Sequence, residues 1–181
     1  VPENILKSAE IIDGEDKWLL PGVIDTHVHF REPGLTAKAD FYTESRAAVA
    51  GGITSIMDMP NTNPPTTTME EIDKKIAIAK EKSLVNFSCY LGATNENIDE
   101  VINVDKNKVC GIKVFLGAST GNMRVDDPKV LERIFAESPI LVATHNEDEA
   151  IIASNLKKVK EELGEQPIPI SYHEIIRNSD A

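Results

Sequence analysis

The chain has 181 residues, of which 41% are hydrophobic and 27% are charged, and its formal net charge at pH 7 is −11. This length is enough for one domain with a substantial core, and the acidic balance argues against nucleic acid or an anionic membrane surface as a partner. No apolar run approaches the roughly 20 residues that span a bilayer, and both cysteines lie in strand-like runs, so we expect buried free thiols and a cytoplasmic location.

Strand and helix patterns alternate along the whole chain. The first strand, rich in β-branched residues, is followed by a helix that stops at Gly51-Gly52, a common helix C-terminal signal. A later helix opens with Asp127-Pro128, a cap followed by proline in the first turn. The predicted strands are 18–29, 53–59, 84–93, 109–116 and 139–145. The predicted helices are 39–50, 68–83, 96–101, 127–137 and 147–163, and a last one opens at a capping box, 171–174, and runs toward the end of the chain.

Five strands alternating with helices predict a parallel α/β sheet. A doubly wound sheet would carry a glycine-rich phosphate loop after its first strand, and no such loop is present. A (β/α)8 TIM-type barrel typically needs about 250 residues, so residues 21–181 are predicted to be the first five βα units of such a barrel. We expect the chain to be a fragment, because it lacks an initial Met and stops inside a predicted helix.

The first strand runs into His27-Val28-His29-Phe30-Arg31. Because side chains alternate along a strand, His27, His29 and Arg31 share one face. Two neighbouring imidazoles at a strand end suit one metal ion, most often zinc, although such a pair also arises by chance. Arg31 on the same face is a candidate for binding a substrate anion.

Polar residues also stand at the ends of later strands: Asn61, Lys113 and His145. Lys113 is flanked by apolar residues, and a buried lysine is costly unless it is paired or chemically changed. It either pairs with a carboxylate or has reacted with carbon dioxide to give a carbamate, which bridges two metal ions. His145 is either a core histidine bonded to backbone or a metal ligand.

Two motifs, residues 27–34 and 59–67, together resemble the dihydroorotases of the amidohydrolase superfamily, and the similarity extends from about residue 19 to the end. The first motif is typical of the whole superfamily. The residues around Arg31 and Asn61 narrow the resemblance to the dihydroorotases. Allantoinases typically carry Asn where Arg31 stands, and hydantoinases and dihydropyrimidinases lack the Arg-Glu-Pro-Gly form.

The resemblance implies a metal-dependent hydrolase with two zinc ions. His27 and His29 would bind the more buried zinc, carboxylated Lys113 would bridge both, and His145 would bind the second. Arg31 and Asn61 would hold the carboxylate of the substrate in the reversible conversion of N-carbamoyl-L-aspartate to L-dihydroorotate, a step of pyrimidine biosynthesis. A further histidine ligand and the general-base aspartate are expected beyond residue 181, so we expect these 181 residues alone to be inactive.

The remaining expectations also follow from the resemblance. Residues 1–20 would be a remnant of an N-terminal β-domain with its linker. The candidate partners are the small-molecule substrate, the rest of the barrel and, as a homodimer, a second copy of the chain. Two alternatives stay open: an allantoinase- or hydantoinase-type cyclic amidase, and an inactive dihydroorotase-like scaffold.

Overall fold

A computed structural model describes residues 2, 4, 7, 9, 10, 12–117 and 122–180 of the chain. Its sheet has five parallel strands, β1 to β5, in sequence order. The strands are Val23–Val28 (β1), Ile53–Asp58 (β2), Asn86–Gly92 (β3), Val109–Phe115 (β4) and Val142–His145 (β5). The helices are Phe41–Ala50 (α1), Met69–Lys82 (α2), Ile98–Ile102 (α3), Pro128–Glu137 (α4), Glu149–Leu163 (α5) and His173–Ile176 (α6), with a 3-10 turn at Ile170–Tyr172.

The helix boundaries follow from the capping residues that the sequence supplies. Asp40 caps α1 by accepting the amide hydrogen of Thr43, and Thr68 caps α2 by accepting that of Glu71. Asp127 caps α4, whose first residue is proline, and Gly51 ends α1. These helix N-terminal caps and the end of α1 at Gly51 agree with the predicted order of strands and helices, which the structure confirms.

The apolar core lies between the sheet and the helices. On β3 and β4, Cys89, Leu91, Ile112 and Val114 alternate with residues of the opposite face and pack under the helices. Lys113 therefore points away from that layer, to the concave side of the sheet. A parallel sheet in sequence order, with helices on one side, forms the first part of the (β/α)8 barrel that the sequence predicts.

Two predicted boundaries are wrong. β1 begins at Val23, where pairing with Ile53 starts, and Trp18 and Leu19 ahead of it are almost fully exposed. The last helix begins at His173 and ends at Ile176, without a side-chain cap from the predicted box. A four-residue helix is too short to persist by its own hydrogen bonds.

The prediction of a remnant β-domain over residues 1–20 falls partly on residues 1, 3, 5, 6, 8 and 11, which lie outside the described residues. It stays a prediction. In the described part of the chain, no helix is both long enough and apolar enough to cross a membrane.

Candidate metal centre

The residues singled out in the sequence gather at the carboxyl ends of the strands. His29 and Arg31 follow β1, Asn61 follows β2, Lys113 lies near the end of β4, and His145 ends β5. In barrels built from parallel strands this is the rim where ligands bind. The topology thus brings together side chains that are as far as 118 positions apart, from His27 to His145.

His27, in β1, and His29, just after the end of β1, lie side by side. Their ring centroids are 5.3 Å apart. Partial burial lowers the pKa of His27, and the nearby Lys113 ammonium and His145 lower it further. Burial also lowers the pKa of His29, against the opposing effect of its hydrogen bond to Asn61. Both rings therefore favour the neutral form, which is the form that binds a metal ion.

Asn61 holds His29 in one orientation. Its Oδ1 lies 2.7 Å from Nδ1 of His29, and the Asn61 residue is buried. With the amide oxygen as acceptor, Nδ1 carries the proton and Nε2 keeps its lone pair toward the rim. Asn61 was singled out as a substrate-binding residue, and the structure adds this contact with a candidate metal ligand.

Lys113 is buried without an anionic partner. Only 1% of the residue is exposed, and among the described residues no carboxylate lies within ion-pairing distance of its Nζ, which sits 5.0 Å from the centre of the Phe115 ring. Burial lowers the pKa of its ammonium. The described residues thus do not supply the carboxylate pair that was one of the two interpretations.

His145 is not a core histidine bonded to backbone. Its side chain is 44% exposed, and its Nε2 lies 3.0 Å from Oε2 of Glu147. Glu147 in turn pairs with Arg177. The Glu147 carboxylate therefore competes for the nitrogen that would bind a metal ion.

Arg31 has an unusual backbone conformation. Its φ is +65°, in the left-handed region that a bulky side chain seldom adopts and that costs on the order of 1 kcal/mol or more. In the part of the chain that the structure describes, its guanidinium makes no hydrogen bond or ion pair. Its donors are therefore available to an anionic ligand.

Sequence reasoning missed the two buried carboxylates beside this turn. Oδ1 of Asp58 accepts the amide hydrogen of Phe30 at 2.8 Å, and Oε2 of Glu32 accepts that of Phe41 at 3.1 Å. Asp58 pairs with the fully buried Lys75, and Glu32 pairs with Lys82. The available signal was Lys75 itself, a charged residue one helical turn after Ile72 on the apolar face of α2.

The donor set is compatible with zinc once Lys113 is included. No three His, Cys, Asp or Glu side chains among residues 12–117 and 122–180 are close enough to hold a metal ion. His27, His29 and His145 are nitrogen donors of the kind zinc prefers. The buried Lys113 amine would have to become an anion to complete the set.

The family model and the similar proteins all point to the same family of enzymes. The Dihydro-orotase-like family model matches residues 16–121. A dihydroorotase of Methanosarcina acetivorans is 36% identical over 178 residues, which cover 96% of this chain and 37% of that protein. An allantoinase of Deinococcus radiodurans is 37% identical over 145 residues, which cover 77% of this chain and 32% of that protein.

A solved structure, the L-hydantoinase (dihydropyrimidinase) from Arthrobacter aurescens, is similar with a TM-score of 0.78 and 31% identity, covering 87% of this chain and 35% of that one. The chain thus spans about a third of the length of the relatives it matches. On the strength of the family model and these relatives, the chain belongs to the dihydroorotase-like family of the amidohydrolase superfamily.

Proposed function

We propose that this chain supplies the first part of the active site of a zinc-dependent dihydroorotase. The reaction is the reversible cyclisation of N-carbamoyl-L-aspartate to L-dihydroorotate, in pyrimidine biosynthesis. The observation that supports this substrate is Arg31, a cation with unpaired donors among the described residues, next to the His27–His29 pair. Both the open-chain and the ring substrate carry a carboxylate, which a guanidinium binds with two parallel hydrogen bonds.

The metal-binding residues would be His27, His29, Lys113 and His145. Two zinc ions, when bound, supply a nucleophile at neutral pH and polarise the carbonyl of the substrate. The protein's part is to keep the imidazoles neutral, and partial burial does so at His27 and His29. His145 would have to exchange its contact with Glu147 for the metal.

Lys113 is suited to become a carbamate. Burial lowers the pKa of its ammonium, which enriches the neutral amine. The neutral amine adds to the carbon of carbon dioxide, a C–N bond forms, and one proton leaves to solvent. The resulting anion would remove the cost of burying an unpaired ammonium and would offer two oxygen donors to a metal ion.

Asn61 and Arg31 would share the substrate carboxylate. Because Oδ1 of Asn61 is used by His29, the amide NH₂ is the part of Asn61 that remains to donate to an anion. Arg31 would carry most of the attraction, since it brings a full charge. The general base remains predicted to be an aspartate outside these 181 residues.

An allantoinase- or hydantoinase-type activity is the second candidate. It is favoured by the 37% identity to an allantoinase and by the similarity to the L-hydantoinase structure. The rings of hydantoin and dihydropyrimidine substrates lack the carboxylate, so they offer Arg31 no anion to pair with. The scaffold alternative is disfavoured because all four candidate metal-binding residues are present.

The first experiment measures zinc content and turnover in the complete protein. We expect about two zinc ions per chain, turnover of L-dihydroorotate, and no turnover of dihydrouracil or allantoin. We expect His27→Ala or Lys113→Ala to abolish the zinc-dependent activity. His173→Ala, which removes an exposed histidine on α6, is the matched control and should leave it unchanged. Full activity in His27→Ala would disprove the site, and turnover of allantoin alone would favour the second candidate.

A further inference from the structure

Helix α2 reaches the turn around Arg31 through two lysines. Lys75 and Lys82 are seven residues apart, close to two helical turns, so they lie on the same side of α2. Lys75 binds Asp58 with Nζ 2.5 Å from Oδ2, and its Nζ also donates to the carbonyl oxygen of Met59 at 2.7 Å. Lys82 binds Oε1 of Glu32.

The two carboxylates lie on either side of Arg31. Asp58 accepts the amide hydrogen of Phe30, directly before Arg31, and both Asp58 and Lys75 are fully buried. Glu32, directly after Arg31, is 5% exposed and accepts the first amide hydrogen of α1, from Phe41. The turn is closed by a hydrogen bond from the amide of Leu35 to the carbonyl oxygen of Arg31, at 3.0 Å.

These contacts account for the conformation of Arg31. A left-handed φ of +65° at a bulky residue persists only where neighbouring contacts impose it. Here the amide of Phe30 donates to Asp58 at the end of β2, and the Glu32 side chain contacts both α1 and α2. Each of the two carboxylates, Asp58 and Glu32, is ion-paired to a lysine of α2. We name the four residues Asp58, Lys75, Glu32 and Lys82 the α2 clamp.

We propose that the α2 clamp positions Arg31, so that α2 sets the affinity of the site for the carboxylate of the substrate. Asp58 binds the amide of Phe30, and Glu32 directly follows Arg31. Lys75 and Lys82 hold these two carboxylates, so all four residues act on Arg31 through its neighbours and are positioning residues. The inference rests on the proposed function, because it assigns Arg31 to the substrate. It predicts that loss of the clamp weakens recognition of the carboxylate specifically.

Lys82 is the residue to change. Removing Lys75 would leave a buried carboxylate unpaired, which threatens folding itself. Lys82 is 37% exposed, so Lys82→Met releases Glu32 at smaller risk, and Lys82→Arg keeps the charge as a rescue variant. Lys74→Met is the matched control, because Lys74 lies on the same helix and, among the described residues, its ammonium pairs with Glu70 and Glu71 and with no side chain of the clamp.

The first readout is ligand recognition in the zinc-loaded complete protein. We expect Lys82→Met to weaken calorimetric binding of L-dihydroorotate and to raise its KM by up to about 100-fold, the cost of displacing a positioned group by about 1 Å. kcat should change less than KM. Weak binding of dihydrouracil, the same ring without the carboxylate, should not change. Lys82→Arg should restore dihydroorotate binding, and Lys74→Met should behave as the wild type.

The second readout does not depend on the substrate. Trypsin cleaves after arginine, so a released turn exposes the peptide bond after Arg31. We expect Lys82→Met to be cleaved there faster than the wild type, Lys82→Arg and Lys74→Met. The clamp would be disproved if Lys82→Met were cleaved at the same rate as the wild type. It would also be disproved if Lys82→Met bound L-dihydroorotate and dihydrouracil with equally reduced affinity. Faster cleavage with unchanged dihydroorotate binding would instead disprove the role of Arg31 and with it the proposed function.

Discussion

At the scale of single residues, the contact between Asn61 and His29 gives one amide side chain two tasks. Its oxygen accepts from Nδ1 of His29 at 2.7 Å, while its nitrogen is left for an anion. Partners that orient a metal-binding histidine typically contribute about 10- to 100-fold to metal affinity. In the proposed site, Asn61 would therefore join the candidate metal-binding residues to the candidate substrate-binding residues.

Two substitutions at Asn61 separate these tasks. Asn61→Ala removes both, so we expect zinc affinity to fall by about 10-fold or more, together with dihydroorotate binding. Asn61→Asp keeps an oxygen for His29 but places a negative charge beside the substrate carboxylate, so zinc should stay while dihydroorotate binding is lost. Zinc titration with a competing chelator and calorimetry measure the two effects. Unchanged zinc affinity in Asn61→Ala would show that the contact does not orient His29 for metal.

Arg31 illustrates a residue whose type is readable from sequence but whose conformation is not. Its charge predicts an anionic ligand. The strand alternation expected to place it on the face of His27 and His29 does not reach it, because β1 ends at Val28 and Arg31 adopts a left-handed φ. The contacts that accompany its left-handed backbone are made by Asp58, at the end of β2, with the amide of Phe30, and by Glu32, the next residue, with the amide of Phe41 in α1. No sequence pattern near Arg31 predicts those contacts.

At the scale of elements, the loop after β1 and the loop after β2 are packed against each other. The amide of Asn63 donates to the carbonyl oxygen of Pro33 at 3.1 Å. Gly34 follows with φ of +80°, and a Cβ added there would collide with the carbonyl of Asn63. The glycine thus permits both the turn and the close approach of the two loops that carry Arg31 and Asn61.

Gly34→Ala should therefore cost more stability than a positive φ alone explains. We expect a loss of about 1–2 kcal/mol from the backbone conformation and about 1–3 kcal/mol more from the overlap with Asn63. Gly52→Ala is the matched control, because Gly52 has φ of +82° but nothing within 4 Å of an added Cβ. Urea unfolding monitored by circular dichroism measures both variants. If Gly34→Ala and Gly52→Ala lost the same free energy of unfolding, the two loops would have moved apart at little cost.

Helix and strand positions were the best-predicted features at this scale. The caps at Thr68 and Asp127 and the stop at Gly51 are local interactions, so sequence alone indicates them. The start of β1 was misplaced because a strand needs a partner, and pairing with β2 begins only at Val23. The apolar residues 18–20 satisfied the strand pattern without having such a partner.

At the scale of the whole molecule, the sheet has two free edges in the described residues. β1 pairs only with β2, and β5 pairs only with β4. Ile24 on β1 is 59% exposed, and Leu141 just before β5 is 61% exposed. Unpaired apolar edges invite pairing with another chain.

We expect the 181-residue chain on its own to self-associate as its concentration rises. Ile24→Lys should reduce the association, because a lysine on an edge strand disfavours pairing. Phe135→Lys is the control, since Phe135 is similarly exposed, at 57%, but lies on helix α4 rather than on an edge strand. Sedimentation velocity measures the distribution of species. An equal effect of both variants would indicate nonspecific apolar contact rather than edge pairing.

The sequence by itself determined the class of fold, the family, and the types of residue that gather at the rim. These follow from periodicity, caps and two short motifs, which are local properties of the chain. Only the tertiary structure decided that Asn61 hydrogen-bonds His29 and that Lys113 lacks a carboxylate partner among the described residues. It also decided that Glu147 contacts Nε2 of His145 and that the α2 clamp lies beside Arg31. The physical reason is that each of these contacts joins side chains brought together by strand order and helix packing, and sequence periodicity specifies which face a residue takes but not which distant residue meets it there.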